Sequence, residues 1–64
     1  SAIGDAVNLS KRIQENAQAD EILISRATYE QVKDWVQAEP LEPMKVKGRQ
    51  TPEHIYRLTG ALAE

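Results

Sequence analysis

Cysteine is absent from this chain, which removes disulfide staples and thiolate metal sites at once. A single histidine leaves no histidine cluster for a metal unless a second chain contributes. An excess of positive charge is missing too. Lys and Arg total 8 against 10 Asp and Glu, and the net charge of −2 argues against a general nucleic-acid binder, which needs a basic face. No long apolar run is available to span a membrane, and no secretory signal is visible. The expectation is a soluble, cytoplasmic segment. With 64 residues it makes at most one small domain, burying only about 60% of its unfolded surface.

What is present is organised by the first sixteen residues. Ser1-Ala2-Ile3 reads as the end of a strand, Gly4 as a turn, and Asp5 as the N-cap of an amphipathic helix. Ala6, Leu9, Ile13 and Ala17 recur at helical spacing and form one apolar stripe, with the helix closing near Ala17 or Gln18. Asn8 and Arg12 are four apart, so they stand only about 40° from each other around the axis, one turn apart. An amide donor and a fixed cation side by side suit an oxygen-rich, negatively charged group. Taken alone, such a pair is usually a solvated helix edge.

Glu21 to Ser25 carries Ile22, Leu23 and Ile24 in a row, the composition of a strand buried on both faces. Ser25 can cap a second helix over Arg26 to Gln37, with Tyr29, Val32 and Val36 inward and Trp35 off that line, under a loop or against a partner. Pro40 and Pro43 bracket a loop. Met44 to Lys47 alternates apolar and basic, as a half-buried strand does; Gly48 to Pro52 is a turn, His54 to Leu58 a final strand, and Thr59 onward a frayed tail. The order is helix-strand-helix-strand-strand, an α/β (α+β) arrangement. The Ile22–Ile24 strand lacks obvious cover, so either copies of the chain assemble or an N-terminal half is missing.

Ile3-Gly4-Asp5-Ala6-Val7-Asn8-Leu9 with Arg12, then Glu21 to Ser25, Thr28-Tyr29, Val46-Lys47-Gly48 and Ile55 to Leu58, resembles class III adenylate and guanylate cyclase catalytic domains. The resemblance covers nearly the whole chain in order and spacing. Ala19-Asp20 departs from it, standing where the family often has a proline-glycine turn, and Ser10-Lys11 replaces small residues. It implies that residues 1–64 are the C-terminal part of a ferredoxin-like cyclase domain whose upstream half is missing. It also implies an enzyme making cyclic AMP from ATP, in preference to cyclic GMP from GTP. Asn8 would hold the ribose and Arg12 would stabilise phosphate charge in the transition state. Lys47 would contact the outer phosphates. Ser1 falls at the base-reading position, where a hydroxyl leans towards adenine.

The family's Mg or Mn is bound by two upstream aspartates that no residue here matches, and Asp5 is not one of them. The segment alone is therefore expected to be inactive. A homodimer or higher self-assembly is expected, since family members share their sites between subunits. A non-catalytic module for dimerisation or regulation is the alternative, and two aspartates upstream would decide against it. Blander roles stand beside these. Lys45 and Lys47 suit the wet face of an edge strand, His54 an exposed strand end, Trp35 and Tyr29 the core, and Glu39 and Glu42 the surface.

Overall fold

A computed structural model describes residues 2–62, with side chains from residue 4 onward. The chain runs α1 (Ala2–Gln14), β1 (Leu23–Ser25), α2 (Arg26–Val32), β2 (Val36–Pro40) and β3 (Ile55–Ala61). The expected order is kept, but its members change.

The strand end expected over Ser1-Ala2-Ile3 is not found among the described residues. Ala2 and Ile3 are helical, Gly4 lies inside α1, and Asp5 sits in the first turn, where its charge complements the helix dipole. α1 stops at Gln14, earlier than Ala17. Its end tightens into i→i−3 bonds, from the Asn16 amide to the Ile13 carbonyl (3.1 Å) and from Ala17 to Gln14 (3.0 Å). Asn16 Nδ2 donates to the Arg12 carbonyl at 3.1 Å and so satisfies one of the open acceptors there. The Gln14 side chain then ties the helix to the next element, donating to the Glu21 carbonyl (3.0 Å) and accepting from the Leu23 amide (3.4 Å).

The three strands form an antiparallel sheet in the order β1-β3-β2, so β3 is central. Leu23 pairs with Arg57, Ile24 with Tyr56 and Ser25 with Ile55. Opposed residues share a face, so Leu23 and Ile55 look to one side and Ile24 and Tyr56 to the other. The first side carries the core: Ile13 of α1 packs with Leu23, Val46 and Ile55, and Leu9, Ala17, Leu41 and Met44 close around them. On the second side Tyr29 of α2 stacks on Tyr56, with centroids 4.1 Å apart and planes within 8°. Arg57 spans the first face, pairing with Glu21 at 3.4 Å and with Glu39 opposite it on β2.

Four further expectations are overturned. The Ile22–Ile24 strand is not covered on both faces: β1 is an edge strand, and Ile22, just outside it, is 55% exposed. The second helix ends at Val32, where the Trp35 amide turns back to the Val32 carbonyl (2.8 Å), so Val36 belongs to β2 and Trp35 is 69% exposed. Met44 to Lys47 contributes only a bridge, Met44 to Glu53, and the fourth element is β2. β3 continues to Ala61, through the residues read as a tail. Ser25 does cap α2, accepting from the Thr28 amide at 3.2 Å. Among the described residues no helix is long and apolar enough to cross a membrane.

Candidate functional site

α1 approaches the 44–53 loop because Leu9 and Ile13 pack on Val46. The loop is pinned at its base by the Met44–Glu53 bridge, whose two amide-to-carbonyl bonds measure 2.9 and 2.8 Å. At its tip, the Arg49 amide donates to the Val46 carbonyl at 3.0 Å, closing a β-turn. Gly48, third in that turn, has φ +87°, the left-handed value that a type II turn demands. A Cβ there would meet nothing within 4 Å, so backbone conformation, not crowding, selects glycine.

Between helix and turn lies a cavity of about 180 Å³ lined by Asp5, Asn8, Leu9, Arg12, Val46, Lys47, Gly48 and Arg49. Leu9 and Val46 are the apolar side chains of its lining, and Asp5, Asn8, Arg12, Lys47 and Arg49 the polar ones. Of the residues expected from the sequence, Asn8, Arg12 and Lys47 therefore meet in one place. Ser1 lies outside the described residues.

Sequence reading does not assign the two other charged lining residues to the site. The sequence pattern places Asp5 at a helix cap and Arg49 in a turn. The available signal for Arg49 was its place across a turn glycine from Lys47, which sends two cations out of one rigid corner.

Three cations face one carboxylate in this cavity, although the chain as a whole carries −2. Arg12, Lys47 and Arg49 take part in none of the ion pairs found among the described residues, which join Lys33 to Glu30 and Arg57 to Glu21 and Glu39. A recess lined mainly by one sign of charge concentrates the opposite sign, so the chemistry on offer is anion binding with an amide donor alongside. A second depression flanks the same ridge, lined by Asn8, Lys11, Arg12 and Glu15.

A divalent metal does not fit these donors. Among the described residues no three carboxylates, histidines or cysteines come together, and the cavity's lone carboxylate is outnumbered by cations.

The model of the family described as the adenylate and guanylate cyclase catalytic domain matches residues 2–60. The chain is also similar to Adenylate cyclase 1 of Rhizobium meliloti (strain 1021), with 36% identity over 64 residues, 97% of this chain and 10% of that protein. It thus spans about a tenth of that relative's length.

Proposed function

The chain belongs to the adenylate and guanylate cyclase catalytic domain family, and from that premise we propose that it supplies the phosphate-facing half of a site converting ATP to cyclic AMP and pyrophosphate. The observation that carries this reading is the convergence of Asn8, Arg12 and Lys47, from a helix and a distant turn, on one cation-rich cavity.

In the reaction, the ribose 3′-oxygen attacks the α-phosphorus. A new P–O bond closes the ring, the bond to the β-phosphate oxygen breaks, and the hydroxyl proton leaves to solvent or a base. Negative charge builds on the α-phosphate and on the departing pyrophosphate. Arg12 donates to those oxygens from a fixed planar fork, and Lys47 meets the outer phosphates as a point charge. Asn8 Nδ2 donates to a ribose oxygen and holds the attacking group in line. Any Mg or Mn would have to be held by groups other than the described residues.

Adenine is preferred to guanine on two supports: the hydroxyl of Ser1 at the base-reading position, and the name of the similar protein. Self-assembly is supported by Val7 and Ile22, each more than half exposed.

The test uses the full-length protein that carries this segment. Asn8→Ala and Arg12→Ala should each lower kcat about a hundredfold or more, as loss of one transition-state donor does elsewhere, with far smaller changes in KM. Cyclic AMP formation under saturating ATP is the readout. Near-normal turnover in both variants would sink the assignment.

A further inference from the structure

We propose that Arg49 is a fourth ligand-holding side chain of this cavity, gripping the outer phosphates of the nucleotide together with Lys47. The inference rests on the nucleotide reading above and deepens it. Arg49 lines the same cavity as Asn8, Arg12 and Lys47. Its backbone is fixed by the 3.0 Å bond to the Val46 carbonyl and by the left-handed Gly48, so the guanidinium is presented from a rigid frame. It is half-buried, yet no carboxylate pairs with it among the described residues. A partly desolvated cation without a counter-charge is costly unless an anion arrives to meet it.

Cavity size selects which part of the nucleotide arrives. About 180 Å³ falls below the roughly 300–1,000 Å³ of pockets that enclose drug-sized ligands. A polyphosphate is closer to this size than a whole nucleotide is, so the sugar and base extend beyond the cavity's mouth. The charge agrees, because Arg12, Lys47 and Arg49 against Asp5 leave three positive charges minus one, a net +2 facing a polyanion. Lys47 and Arg49 also differ in kind: the lysine can follow a phosphate as it moves, whereas the arginine fork fixes two oxygens at once.

Inorganic tripolyphosphate is the probe, titrated into the full-length protein by calorimetry and as a competitor of ATP. Arg49→Gln removes the charge; Arg49→Met removes it too but keeps the half-buried stem, so a folding defect in the first does not obscure the second. Both variants should bind tripolyphosphate about tenfold more weakly. Adenosine affinity should stay the same, and the salt dependence of tripolyphosphate binding should flatten. Arg49→Lys should recover part of the loss.

Two failures are distinguishable. If Lys47→Gln weakens tripolyphosphate binding while both Arg49 variants stay within twofold of the native protein, the proposal for Arg49 falls and the nucleotide reading stands. If the native protein does not bind tripolyphosphate, the proposal for Arg49 falls; if Lys47→Gln also leaves ATP affinity unchanged, the nucleotide reading falls with it.

Discussion

Asp20 and Gly48 share a left-handed backbone, φ +75° and +87°, yet only one of them is a glycine. Asp20 is third in a turn closed by the Glu21 amide on the Gln18 carbonyl (3.0 Å), and the Glu21 carboxylate reaches back to the Gln18 amide at 2.9 Å. Aspartate tolerates this region better than most residues but is still strained there. Ala19-Asp20, the place where the resemblance leads one to expect a proline-glycine turn, is thus a turn as well, with Asp20 at its left-handed position. Exchanging residue types at the two positions should have opposite signs. Asp20→Gly should stabilise the chain by about 0.5 kcal/mol, strain relief of about 1 less the extra freedom of the unfolded glycine. Gly48→Ala should cost about 1 kcal/mol through strain alone and weaken phosphate binding by disturbing the frame of Lys47 and Arg49. Denaturant midpoints decide both, and a neutral Gly48→Ala would show that the turn is not left-handed.

α1 is held by few contacts, and its site residues depend on them. Ile13 is 1% exposed and lies one residue past Arg12, so the side chain that anchors the helix also sets the direction of the edge that carries Asn8 and Arg12. Ile13→Ala should cost about 2–5 kcal/mol, a large share of a small domain's stability, whereas Ile13→Val should cost about 0.5–1.5. ATP affinity should fall with Ile13→Ala and survive Ile13→Val; thermal melts with and without ATP would separate these cases. Other elements were ambiguous for a physical reason. Val36 follows Val32 by four, which suits a helix, and also opens the alternation Val36-Gln37-Ala38, which suits a strand. Only the pairing with β3 removes the ambiguity. Pro40 looked like a loop marker, but β2 is an edge strand, where a residue without an amide donor is tolerated.

The molecule as a whole exposes more surface than its mass requires. A folded 7.2 kDa monomer is expected to expose about 4,100 Å² by the usual mass scaling, and this chain exposes 5102 Å². Its extents of 38 × 25 × 19 Å give the same account of an elongated body. The excess, about 1,000 Å², matches one partner's share of a standard protein interface, about 800 Å². Val7, Ile22 and Trp35 are large apolar side chains left on that surface. Sedimentation at micromolar concentration should therefore find dimers or higher assemblies, and Ile22→Asp should shift them toward monomer with little change in the melting of the monomer. A compact native monomer with a cooperative melt would show that the exposed surface needs no partner. A second outcome concerns chemistry at this scale. The 64-residue chain alone should form no cyclic AMP from ATP with Mg or Mn, since its described residues do not fit a metal. Measurable product would overturn that expectation.

The sequence by itself determined the first helix and its polar edge, the cap at Ser25, the glycine turn after Lys47 and a strand over Ile55 to Leu58. Each of these is written in near neighbours: a 3.6-residue period, a hydroxyl three residues from the amide it accepts, a glycine where φ must be positive. Tertiary structure alone decided that β3 is central, that Val36–Pro40 forms the other edge strand, and that Ile22 faces outward. It also brought Arg49 into the cavity with Asn8, Arg12 and Lys47. The physical reason is range. Strand pairing and cavity lining depend on contacts between segments far apart in the chain, and the same local pattern is compatible with several such pairings until the core around Ile13, Val46 and Ile55 selects one.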